Sequence, residues 1–299
     1  MWVPTWVDWP KSLSTVTSSN PKVATMVSPD FYDFNKNGNY KSGPPVLDYT
    51  SSNPTIAQVA AQVHAAGMLL VPLVYGGASN LTDGTDQGIL NVLADQTTQA
   101  NFMTAMVSEA QTRQYDGWNL DFEVGPTTTY SKYGAQYISF LTAFKNALHA
   151  RKMVLTVDVG QWYIRQCGGD ALVDLTQIGQ AVDYVIIEDY VTDFGNPVAS
   201  CPGPAKMSCS TFGDLLNLMC YVTPSSAVSI GIEAQPGGSV FTNGANEGTG
   251  PILAKALSAI SAVGFKAVAV WPDGSPFLDS TGVPNGQTYI SLVGQWLNH

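Results

Sequence analysis

Asp116-Gly117-Trp118-Asn119-Leu120-Asp121-Phe122-Glu123 is the stretch on which the fold of this chain turns. Side chains alternate sides along a strand. Trp118, Leu120 and Phe122 share one parity, and Asn119, Asp121 and Glu123 the other. The apolar set suits a layer of helices outside a sheet. The polar set then points into a barrel, stacked toward the C-terminal mouth. Burying three polar side chains in a row costs on the order of several kcal/mol unless they bond one another. A purely structural barrel has no need of such a column, whereas acid catalysis by a carboxyl pair does. Glu123, last on the strand, sits highest and reaches a substrate. Asp121 lies two residues deeper, close enough to repel a second negative charge. That repulsion raises the pKa of the pair and retains one proton near neutral pH.

Other short apolar runs flank this one. They are Trp2–Asp8, Val23–Tyr32, Met68–Tyr75, Met153–Asp158, Tyr184–Tyr190, Ala227–Glu233 and Ala267–Trp271. Most are rich in Val, Ile or Leu, as strands buried on both faces are. Helical patterns fall between most of them. Asn53-Pro54 reads as an N-cap followed by proline at the first helical position, opening a helix that ends at Gly67. The others run near Thr98–Arg113, Ser131–Ala150, Leu172–Gln180, Thr211–Cys220, Pro251–Val263 and Thr288–Leu297, and Pro10–Pro21 has only a weak helical signal. The expected class is α/β, with residues 1–299 forming one (β/α)8 TIM barrel. No internal repeat or domain linker interrupts it. The Gly- and Pro-rich stretches Asp193–Met207 and Gln235–Gly250 follow the sixth and seventh strands, so both are expected at the active-site face.

The 299 residues are 45% hydrophobic and 12% charged, with a net charge of -10. Such a chain is globular, and its apolar runs are too short to span a membrane. Its acidity argues against nucleic acid and anionic membranes as partners and suits a neutral carbohydrate. The cysteines are Cys167, Cys201, Cys209 and Cys220, with no CxxC pair, and the histidines are His64, His149 and His299. No metal site and no organic cofactor is implied. Cys201 and Cys209 bracket a short loop and are placed to close it. Cys167 is an alternative partner for either, and Cys220 is as readily a buried free thiol. The histidines suit packing or surface roles. Low lysine content and Asn80-Leu81-Thr82, a weak glycosylation signal, lead to an expectation of secretion. Met1-Trp2-Val3-Pro4 reads as an initiator on a mature chain whose leader has been removed. Nothing indicates an oligomeric state.

The motif Asp116-Gly117-Trp118-Asn119-Leu120-Asp121-Phe122-Glu123 resembles the fourth-strand Asp-Gly-x-Asp-x-Asp-x-Glu of glycoside hydrolase family 18. Met26–Asn35 resembles that family's second strand and loop, and Val74-Tyr75-Gly76-Gly77 its Ser-x-Gly-Gly. Val182–Val185, running on to Tyr190, resembles its Met-x-Tyr-Asp strand, and Trp271 the eighth-strand tryptophan. The resemblance implies retaining cleavage of N-acetylglucosamine glycosides in chitin-, peptidoglycan- or N-glycan-like material. The nucleophile is then the substrate's own acetamido oxygen, an exception to the two-carboxylate scheme. By that resemblance Glu123 is the general acid and Asp121 orients the acetamido group. Tyr190 donates to its oxygen, and Trp271 floors the sugar.

Asn119 departs from the family's usual first aspartate. It hydrogen-bonds but cannot share a proton. Glu188 stands at the methionine of Met-x-Tyr-Asp with the parity of Tyr190, so it points inward, where it could bind a sugar hydroxyl or raise the pKa of Glu123. Tyr75 replaces the usual serine and alters the cleft floor. Glu233 ends the seventh strand, where many other barrel glycosidases carry a nucleophile. Asp158, Gln161, Trp162 and Tyr163 follow the fifth strand, and Trp162 and Tyr163 suit sugar platforms, as do Trp6 and Trp9. Two alternatives stand beside the leading one. Glu123 with Glu188 or Glu233 would cleave a glycan lacking N-acetyl groups, or the barrel would bind carbohydrate without catalysis.

Overall fold

Strands that read as nearly continuous Val, Ile and Leu can be buried only if both faces are covered, and parallel pairing with helices outside does this. A computed structural model describes residues 2–3, 9–20, 22–37, 40–77, 86–124, 129–167, 169–189, 209, 212–218, 221–222, 227–233, 250–262, 264, 267–271 and 289–298. The strands are β1 (Trp2–Val3), β2 (Met26–Asp33), β3 (Val46–Leu47), β4 (Leu69–Leu70), β5 (Leu73–Gly77), β6 (Gly117–Glu123), β7 (Val154–Gly160), β8 (Tyr184–Asp189), β9 (Val228–Glu233) and β10 (Val268–Trp271). They pair in the order β1-β2-β5-β6-β7-β8-β9-β10, every pair parallel. The ends of the path, β1 and β10, meet, so the sheet curls into a barrel. β3 and β4 lie off the path, both against β2. Each strand expected from the sequence is present in its expected order.

The helices are α1 (Trp9–Thr17), α2 (Ile56–Ala65), α3 (Asp86–Ala94), α4 (Gln96–Arg113), α5 (Tyr130–His149), α6 (Leu175–Ala181), α7 (Phe212–Leu218), α8 (Gly250–Ala262) and α9 (Tyr289–Leu297). Three local readings need correction. The first connection is a full helix, α1, because Trp9, Leu13 and Val16 recur at helical spacing and are all buried. α2 is capped by Thr55, not Asn53. Thr55 Oγ1 accepts from the Gln58 N–H, and Gln58 Oε1 accepts from the Thr55 N–H, so the reciprocal box sets the start. The Asn53–Pro54 bond before it is cis. α3 lies in a stretch with no expected helix, although Ile89, Val92 and Leu93 give it a buried stripe.

The main core lies between the barrel and its helices. Trp118 is fully buried there and donates from Nε1 to the Met106 carbonyl of α4 at 3.0 Å. Phe102 of α4 packs against Phe34, Tyr40, Phe122, Phe140 and Phe144 with ring centroids 5.7–6.4 Å apart. The outward parity of β6 is thus that expected from its sequence. Cys167, in the turn after β7, is bridged to Cys209 with Cα atoms 5.4 Å apart. This is the alternative pairing rather than Cys201 with Cys209, because the turn after β7 brings Cys167 within reach. Cys201, Cys220, Trp6, the Asn80 sequon and residues 193–207 and 235–249 lie outside the described residues. Among the described residues no helix is long and apolar enough to cross a membrane.

Candidate active site

Parallel pairing decides which side chains share a level inside the barrel. Tyr75 on β5 stands opposite Asp121 on β6, Asp121 opposite Asp158 on β7, and Asp158 opposite Ile186 on β8. One step deeper, Leu73, Asn119 and Thr156 form a row. One step toward the mouth, Glu123 is paired with Gly77, and Glu188 lies between Gly160 and Gly231. Leu73, Ile186 and Ala269, with Tyr75 against them, form a small apolar cluster within the barrel.

Asn119 is fully buried and held at both ends of its amide. Thr156 Oγ1 donates to its Oδ1 at 2.6 Å, and its Nδ2 donates to Asp158 Oδ2 at 2.6 Å. Asp158 Oδ2 is thus the acceptor that ends this row. Carboxylate oxygens of Asp121, Asp158 and Glu188 lie within 4.8 Å of one another. Asp158 and Glu188 are each only 5% exposed. Burial first, then the charges of Glu188, Asp158 and Glu123, hold Asp121 well above the usual carboxylate range. Such crowding is relieved by a retained proton or by a cation.

Glu123 sits above this cluster, half-buried at the end of β6. Burial raises its pKa, and the Tyr75 hydroxyl, donating to its carboxylate, pulls it back down. Burial and the nearby Glu123 charge keep the Tyr75 phenol protonated. Gly77 permits the close approach beside Glu123, since an added Cβ would fall on the Glu123 backbone carbonyl. Trp162 is 49% exposed after β7 and leans on Gly160, where a Cβ would meet its ring at 3.0 Å. Its ring meets Tyr163 edge-on at 5.7 Å, and the Tyr163 phenol lies in the field of Glu123, Asp121 and Glu188. On β2, Asp30 is pushed up to about 7, by burial first and then by Asp33 and Asp48.

Of the residues singled out from sequence, Asn119, Asp121, Glu123, Tyr75 and Glu188 converge, with Trp162 above them on the chain leaving β7. Glu233 and Trp271 end β9 and β10 opposite one another, and their side chains lie outside the described residues, as does all of Tyr190. Trp9 is buried and donates to the Tyr49 hydroxyl at 2.9 Å, so it is core rather than platform. His64 bonds Asp116 at 2.8 Å and His149 bonds Asp183 at 2.9 Å, both in packing roles. Thr156 was not singled out, and Asp158 only as part of the barrel mouth. Their inward parity on β7 was the available signal. Tyr137, buried on α5 near Asp121 and Asp158, gave none.

Known proteins share this fold. The model of the family described as glycosyl hydrolases family 18 matches residues 7–251. A chitinase from Chromobacterium violaceum ATCC 12472 superposes with a TM-score of 0.66 at 16% identity, covering 100% of this chain and 98% of that one. A class V chitinase from Pseudomonas fluorescens Pf-5 gives 0.69 at 16% identity, over 100% and 99%. The spore cortex-lytic enzyme SleL of Bacillus megaterium QM B1551 gives 0.63 at 16%, over 99% and 72%. At such identity the likeness is one of fold. No curated protein matches the chain.

Proposed function

Because the chain belongs to glycosyl hydrolase family 18, we propose that it cleaves β-glycosidic bonds of N-acetylglucosamine-containing glycans with retention. The nucleophile in this reading is the acetamido oxygen of the substrate. One observation carries it: Glu123 tops an inward column on β6 directly above Asp121, whose pKa burial and acidic neighbours hold well above the usual carboxylate range. Glu123 protonates the leaving-group oxygen as the acetamido oxygen closes on the anomeric carbon, and then takes a proton from the attacking water. Asp121 accepts from the acetamido N–H and steadies the positive oxazolinium. Placing the internal nucleophile in line supplies much of the rate through orientation.

In the same reading Tyr190 donates to the acetamido oxygen, Trp271 floors the reacting sugar, and Trp162 offers a ring to a neighbouring sugar. Glu188 is placed with Asp121: their carboxylate oxygens lie within 4.8 Å, and its charge heads those acting on Asp121. The Cys167–Cys209 bridge supports action outside the cytosol. Structural neighbours named as chitinases and a spore cortex-lytic enzyme favour chitin- or peptidoglycan-like material.

The test is hydrolysis of chromogenic glycosides with and without an N-acetyl group, by the native protein and by Glu123→Gln. Turnover confined to N-acetylated substrates and abolished in Glu123→Gln is expected. Efficient cleavage of a sugar lacking the acetamido group would remove the mechanism, and no turnover of any glycan would favour a binding protein.

A further inference from the structure

Position 119 cannot share a proton with Asp121, because an amide neither takes up nor releases one near neutral pH. The row that holds Asn119 supplies a carboxylate from the next strand instead. Asn119 passes a hydrogen bond to Asp158 at 2.6 Å, and Asp158 and Glu188 bring oxygens within 4.8 Å of Asp121. We propose that Asp158 and Glu188, on β7 and β8, together act as the proton-sharing partner of Asp121, the part an aspartate at position 119 would play. They are positioning residues and act on substrate only through Asp121. The proposal rests on the substrate-assisted reading above.

Thr156 and Asp158 clamp the two ends of the Asn119 amide, so its N–H donors stabilise a negative charge on Asp158. With that charge favoured on Asp158, the crowded cluster is relieved by a proton held between Asp121 and Asp158 or Glu188. Among the described residues, the groups facing Asp121 are Asp30 from β2, Tyr75 from β5 and Glu123 from β6, besides Asp158 and Glu188. Tyr163, after β7, and Tyr137 of α5 face it as well. The carboxylates among them oppose a charge on Asp121. When substrate arrives, the same proton stays in the cluster while Asp121 turns its carbonyl oxygen to the acetamido N–H. No proton is gained or lost in that step.

Carboxyl 13C NMR of aspartate-labelled protein, with the Asp121 signal assigned through Asp121→Asn, reads the proton directly. The Asp121 midpoint is expected to fall by about one pH unit or more in both Asp158→Asn and Glu188→Gln. Asn119→Asp combined with Asp158→Asn exchanges the same two groups between strands and should return the midpoint toward that of the native protein. A midpoint unmoved by both single substitutions overturns the proposal, as does an exchange variant that folds without recovering it. A chelator-induced shift of the midpoint, reversed by calcium, places a cation where the proton is assigned and overturns it too. If the native protein cleaves no N-acetylated glycoside and the midpoint still falls, the reaction assignment fails and the proton partner stands.

Discussion

At the residue scale, Glu123 is under two opposing influences. Burial raises its pKa, and the Tyr75 hydroxyl lowers it by bonding the charged form. Tyr75→Phe removes only the second, so the folded pKa of Glu123 rises. If Glu123 is the acid, the alkaline limb of the pH–rate profile moves to higher pH. An unmoved limb separates Tyr75 from the acid. Trp162 is exposed and holds little of the core, so Trp162→Ala should raise KM for oligosaccharides several-fold while leaving Tm nearly unchanged. A loss of Tm without a KM change would make Trp162 structural. The column on β6 was legible from side-chain parity alone. The bond from Asn119 to Asp158 was not, since it needs the register between strands 39 residues apart along the chain.

At the element scale, β6 is held from both sides. Its outward face rests on α4 through Trp118 and Phe122. Phe102→Ala would empty the centre of that aromatic cluster, with an expected loss of about 3–5 kcal/mol in denaturant unfolding. A loss below about 1 kcal/mol would mean the neighbouring rings collapse inward and fill the space. On the inner side, Gly77→Ala would drive a methyl group into the Glu123 backbone. Activity should fall more than tenfold even where the variant stays folded, because misplacing the acid by about an ångström costs on that scale. Strand periodicity was readable because the strands are apolar throughout. Helix starts were less so. α1 has only a short stripe, and the Thr55–Gln58 box prevails over the more conspicuous Asn53-Pro54.

At the scale of the whole molecule, the barrel gathers acids whose pKa values are raised by burial. Asp30 rises from 3.8 to about 7, and Asp121 and Glu123 also rise. A carboxyl with a raised folded pKa stabilises the fold below its unfolded pKa and loses that contribution as pH climbs through the folded value. For Asp30 the window runs from 3.8 to about 7. Melting temperature should therefore fall as pH climbs from 3.8 to about 7. Asp30→Asn should flatten part of that slope, and an unchanged slope would rule Asp30 out as a source. The Cys167–Cys209 bridge spans 42 residues, and removing it by Cys167→Ser with Cys209→Ser should cost about 2–4 kcal/mol. The barrel class followed from alternating apolar runs and helices. The disulfide partner did not, because spacing along the chain does not report distance across a barrel mouth.

The sequence by itself determined the period of the strands, their order, the parity that turns Asn119, Asp121 and Glu123 inward, and the family motif they form. These are local properties, since side-chain alternation and apolar runs act over a few residues. Only the tertiary structure decided that Asp158 takes the hydrogen bond of Asn119, that Glu188 crowds Asp121, that Tyr75 donates to Glu123, and that Cys167 reaches Cys209. Each of those depends on the stagger of neighbouring strands or on where a loop returns. Register is set by the packing of the whole barrel, and no single stretch of the chain carries it.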